Sequence, residues 1–120
     1  MKKHHLISIT LLVWLASSCV QKSYQKTIVI KLKVHHIKDI KTVGIRGNGN
    51  PLSWDKDLLL KPLVKDSLYT LTTTVLTGYK FAEIKFTVNG EFEFKERPNR
   101  RLVFSDKDTT YYNAVFDLAK

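Results

Sequence analysis

From Thr27 onward, apolar and polar residues alternate with a period of two along most of the chain. Ile28, Ile30, Leu32 and Val34 alternate with Val29, Lys31 and Lys33. Successive side chains of a strand point to opposite faces, so this stretch predicts a half-buried strand. Residues 42–47 predict a second short strand with Val43 and Ile45 on one side. Residues 58–63 are apolar but interrupted by Pro62, which suits an edge strand because proline cannot donate to the ladder. Residues 68–76, rich in Thr, Tyr and Val, predict a strand with Tyr69, Leu71, Thr73 and Val75 on one face. Residues 82–89 alternate again, with Ile84, Phe86 and Val88 facing in and Glu83, Lys85 and Thr87 facing out. Asn89-Gly90 is a strong two-residue hairpin signal leading into Glu91-Phe92-Glu93-Phe94. A loop over 95–100 and two final strands, 101–104 and 111–118, complete the pattern, the two separated by a polar turn over 105–110. No stretch keeps a helical period for three turns. About eight short strands at spacings of roughly 8–12 residues predict an all-β fold, an antiparallel immunoglobulin-like β-sandwich.

One loop interrupts this regularity in an informative way. Gly47-Asn48-Gly49-Asn50-Pro51-Leu52-Ser53-Trp54-Asp55 is dense in turn formers and delivers a tryptophan beside two acids, Asp55 and Asp57. Such a loop cannot continue a strand. Trp54 is therefore expected at a sheet edge, where its ring is covered either by the protein's own core or by a ligand. The Gly44, Gly47, Gly49 spacing does not make a dinucleotide loop, because Asn50-Pro51 stands where a helix would have to begin.

The N-terminal segment follows another logic. Lys2 and Lys3 precede an eleven-residue apolar run, residues 6–16, and then Ser17-Ser18-Cys19. This is the layout of an export signal, too short to span a bilayer, which needs roughly 20 apolar residues. The segment resembles a bacterial lipoprotein signal, in which the cysteine is lipidated and becomes the mature N-terminus. The alternative is an ordinary secretory signal followed by a free thiol. The chain then divides into a signal peptide over 1–18, a tether over 19–26 and one domain over 27–120. Cys19 is the only cysteine, so no disulfide staples the domain and the fold rests on its core. The resemblance implies a protein exported to a bacterial envelope and held on a membrane through lipid on Cys19, on the periplasmic side or at the cell surface.

Charge and the remaining polar residues narrow the function. Lys2 and Lys3 leave with the signal, so 18 of the 20 basic residues stand against 11 acidic ones, a net charge of +7. These lysines are spread along the strands and mixed with acids, which argues against a nucleic-acid partner. His35 and His36, adjacent on an extended stretch, point to opposite faces and do not suit one metal ion. Glu91 and Glu93 would share a strand face as a hydrolase pair might, but so small a domain leaves no room for a deep cleft. A non-catalytic protein without metal or cofactor is expected.

Two separated segments also match one known pattern. The first is Gly47 through Leu52-Ser53-Trp54-Asp55; the second runs from Phe81-Ala82-Glu83-Ile84-Lys85-Phe86 through Phe92-Glu93-Phe94 to Pro98-Asn99-Arg100. Together they resemble the starch-binding modules of carbohydrate-binding module family 20 and their glycogen-binding relatives. The resemblance implies a surface site of two aromatic rings, a lysine and an asparagine, falling on Trp54, Phe94, Lys85 and Asn99. Phe94 stands where the family carries tryptophan. A glucan presents flat C–H faces ringed by hydroxyls, so aromatic plates with a few oriented donors suit it. Each residue also has a plainer role: Trp54 or Phe94 in the core, Lys85 as a solvated strand lysine, Pro98-Asn99-Arg100 as a turn. Two functions follow as expectations. One is an envelope-anchored module that binds α-glucan for partner glycan-processing proteins. The other is a structural or protein-binding sandwich without sugar affinity.

Overall fold

A computed structural model describes residues 22–119, and these form nine strands with no helix. The strands are β1 (Tyr24–Lys33), β2 (Val43–Gly47), β3 (Leu58–Leu59), β4 (Lys61–Val64), β5 (Leu68–Thr77), β6 (Phe81–Val88), β7 (Glu91–Phe92), β8 (Arg100–Val103) and β9 (Thr109–Val115). The expected signal peptide and Cys19 lie outside the described residues. Strand β1 begins three residues before the expected domain start, because Tyr24, Gln25 and Lys26 pair with Thr77, Leu76 and Val75 of β5.

The strands make two sheets. One has four strands in the order β4-β5-β1-β9. The other has five, β3-β2-β6-β7, with β8 also on β6. Pairing is antiparallel except between β1 and β9, which run parallel over Thr27–Lys33 and Thr109–Val115. The inward residues of the two sheets share one core. Ile28, Ile30 and Leu32 come from β1, Ile45 from β2, Val75 from β5, Ile84 and Phe86 from β6, and Leu102 from β8. The alternation read from residues 27–34 and 82–89 is therefore the core pattern itself.

The apolar run over 58–63 is two strands rather than one. Leu58–Leu59 pairs with β2, Leu60 is buried between the sheets, and Lys61–Val64 pairs with β5. Pro62 sits on β4, an edge strand of its sheet. The Asn89-Gly90 hairpin forms with positive φ at both residues, as a type I′ turn needs. Its register sets Thr87 opposite Phe92. Thr87 has no exposed surface, although alternation places it on the outward face of β6. Gly44 explains this: a Cβ there would lie 2.7 Å from Asp57 Cβ and 2.8 Å from Thr87 Oγ1, so the Asp57 side chain closes over Thr87 only because position 44 has none.

Candidate functional site

The outward face of the five-stranded sheet carries a cluster centred on Arg46. Arg46 lies opposite Lys85 in the β2–β6 register, and both point away from the core. Its Nε donates to Asp57 Oδ1 at 2.8 Å and its Nη1 to the Trp54 carbonyl at 3.1 Å. Its guanidinium also stacks over the Phe92 ring, 4.9 Å from the centroid. One side chain thus ties the loop that carries Trp54 to the hairpin strand that carries Phe92. A cation over an aromatic face contributes about 0.5–1 kcal/mol at an exposed site.

Trp54, whose carbonyl this arginine reaches, is 37% exposed, and its Nε1 donates to Asn48 Oδ1. The loop is pinned at both ends. Leu52 N donates to Gly49 O at 2.7 Å, Leu76 N donates to Asn50 O at 3.0 Å, and Leu52 packs into the core. Trp54 is therefore held at the surface and is not a core residue.

Lys85 Nζ reaches over the loop between β7 and β8 and donates to Phe94 O at 3.3 Å and Arg97 O at 3.2 Å. An ammonium has three donors, so one N–H remains for a ligand. Asn99 lies exposed on this same loop, immediately before β8.

Phe94 does not serve as the expected second plate. Only 5% of it is exposed, and its ring lies under the Arg100 guanidinium, 4.6 Å from the centroid. The cause is a break in the ladder. Glu93 N still donates to Phe86 O, but the Glu93 carboxylate, rather than a backbone carbonyl, accepts from Phe86 N at 2.9 Å. Phe94 then takes a φ of 52°, which turns its side chain out of the strand alternation. Its amide donates to Asp117 Oδ1 at 2.7 Å. The exposed ring of the hairpin is Phe92, at 38%. The sequence contained the signal for it: a two-residue turn at Asn89-Gly90 pairs Thr87 with position 92, and Thr87 faces out.

Glu93 and Arg100 close the gap between β7 and β8. Arg100 Nε and Nη2 donate to the two Glu93 oxygens at 2.7 and 2.9 Å, and Nη2 also donates to the carbonyls of Val115 and Leu118. Burial works against the arginine's charge. Glu93 and Tyr112 more than offset it, so the guanidinium is held above its ordinary range. Among the described residues no group of three or more metal-ligating side chains converges.

The face thus carries an exposed indole, an exposed phenyl ring and two cations with unused donors, and Asn99 is exposed on the loop that Lys85 reaches. It forms no enclosed cavity. No family model matches the chain, and no curated protein matches it.

Proposed function

We propose that this face binds an α-glucan chain, with Trp54 and Phe92 as its apolar plates and Lys85, Arg46 and Asn99 as its hydrogen-bonding groups. On this reading the domain is a non-catalytic, starch-binding-type β-sandwich of the immunoglobulin-like class. It is held on a bacterial envelope through lipid on Cys19 and concentrates polysaccharide for partner glycan-processing proteins. The observation that carries the reading is Trp54: an exposed tryptophan fixed by its own N–H, on a loop that Arg46 ties to the strand carrying a second exposed ring, Phe92. A sugar ring stacks its C–H face on such a plate while its hydroxyls accept from or donate to groups at the rim. Lys85 and Arg46 supply donors already oriented by protein carbonyls and Asp57, so little side-chain freedom remains to be lost on binding.

Retention on insoluble granular starch tests the reading. Wild type is expected to bind and to be released by soluble maltooligosaccharide, whereas Trp54→Ala passes through. Wild type that passes through at high protein concentration would leave the rival reading, a protein-binding or structural sandwich.

A further inference from the structure

The end of the molecule from which the N-terminal segment emerges is unusually apolar for an exposed surface. Lys22 and Ser23 line an open groove of about 510 Å³ together with Leu76, Tyr79 and Phe81. Tyr24, opposite Thr77 in the β1–β5 register, adds a further exposed ring. Tyr79 is 69% exposed, and Leu76, Tyr24 and Phe81 are exposed as well. The Arg101 guanidinium stacks over the Phe81 ring at 4.2 Å. Lys26, whose Nζ donates to the carbonyls of Ser105 and Lys107, lies at this same end, as do Lys22 and Lys80. Glu83 lines the groove, and Asp106 and Asp108 stand in the adjacent turn, so the cations are in modest excess. Tyrosine and other amphipathic rings flanked by Lys and Arg are the side chains that settle at the boundary between headgroups and acyl chains.

We propose that this end docks on a lipid bilayer, with Tyr24, Leu76, Tyr79 and Phe81 in the interfacial zone and the surrounding cations against anionic headgroups. The inference rests on the lipid-anchored reading of Cys19. Three residue steps separate Cys19 from Lys22, and an extended chain spans at most about 3.6 Å per residue, so the anchor lies within roughly 11 Å of the groove. The tether is too short to lift the domain clear of the surface: the last three residues of the segment expected to be tether, Tyr24 to Lys26, already belong to strand β1. Ring insertion converts this enforced proximity into a fixed orientation. The ten residues of β1 rise about 3.3 Å each, which places the turn at Lys65 some 30 Å from the bilayer. The glucan-binding face begins at Asn48, beside the docked end, and runs away from the membrane along β2 and β6 to Phe92.

The test uses the full-length protein matured in cells, purified with its lipid and reconstituted into vesicles of phosphatidylglycerol and phosphatidylethanolamine. Cys19 is the only native cysteine, so when it is acylated Tyr79→Cys or Lys65→Cys carries the sole free thiol. Each variant is labelled with an environment-sensitive nitrobenzoxadiazole probe. The Tyr79→Cys probe is expected to shift to the blue and to be quenched severalfold more by shallow doxyl lipids than the Lys65→Cys probe. Mass spectrometry of the N-terminus keeps the two readings separate. An acylated Cys19 with equal, weak quenching at both positions overturns the docking while leaving the anchor intact. A blue-shifted but unquenched Tyr79→Cys probe also overturns it, by showing a protein rather than lipid cover. An unacylated N-terminus overturns both.

Discussion

Trp54 and Phe92 share one arginine and differ in what holds them. Trp54 is fixed by its own Nε1 bond to Asn48, while the Phe92 ring is packed beneath the Arg46 guanidinium. Truncating an indole that is already more than one-third exposed costs about 1 kcal/mol of stability, or roughly 4–8 °C in Tm for a domain of this size. A core tryptophan would instead cost 3–5 kcal/mol. Thermal unfolding of Trp54→Ala, read beside its loss of starch retention, is therefore expected to show a small shift. Phe92 is the smaller plate, since Phe and Trp bury roughly 150 and 250 Å². If sugar covers half of the ring, Phe92→Trp gains on the order of 1 kcal/mol at about 25 cal/mol per Å², or up to fivefold in Kd by calorimetry. Phe94→Trp, in contrast, forces a larger ring beneath Arg100 and is expected to lower Tm without tightening binding.

At the scale of elements, the site depends on how β7 gives way to β8. Both pair with the same edge of β6, β7 at Thr87 and Val88 and β8 from Phe81 to Ile84. Glu93 fills the interval with its carboxylate, and Arg100 neutralises it. Glu93→Gln leaves a buried guanidinium without its counter-charge and is expected to cost about 3–5 kcal/mol in denaturant unfolding. The raised Arg100 pKa means that its stabilising contribution is fully present below the unfolded guanidinium value and is lost only as pH rises past the folded one. The arginine thus adds no pH dependence through the neutral range. This arrangement also explains why one site residue was misplaced by its pattern. Residues 91–94 alternate Glu and Phe as a strand does, so Phe92 and Phe94 seem to share a face. The ladder breaks at Glu93 because that carboxylate finds Arg100 seven residues away, a contact that local periodicity cannot express. The strands themselves were legible, because the apolar alternation of 28–34, 69–75 and 84–88 is the core. The division of residues 58–63 was not, since a chain crossing between sheets at Leu60 keeps the same apolar composition.

For the molecule as a whole, the proposed anchoring and the proposed glucan binding separate onto an end and a face. The end carries β1's start and the exposed rings about Tyr79. The face carries Trp54, Arg46, Lys85 and Phe92. Cys19→Ser is expected to move the protein from the membrane fraction to the soluble exported fraction while leaving its affinity for maltooligosaccharide unchanged; fractionation and calorimetry on the same preparation read both. A single acyl chain holds a membrane only marginally, so firm retention of the wild type requires the several chains of a bacterial lipoprotein.

The proposed glucan-binding face is tested most directly by the emission of Trp54 itself. Trp14 lies in the segment proposed to be a signal peptide, so on that reading the mature chain holds Trp54 as its one tryptophan. Titrating mature protein with maltoheptaose should produce a saturable change in emission intensity and wavelength, because a sugar ring stacked on the open indole face displaces water from it. The same titration with cellohexaose, whose β-linked chain is flatter and straighter, should produce a markedly smaller change. An emission that maltoheptaose leaves unmoved up to millimolar concentrations would contradict the binding face.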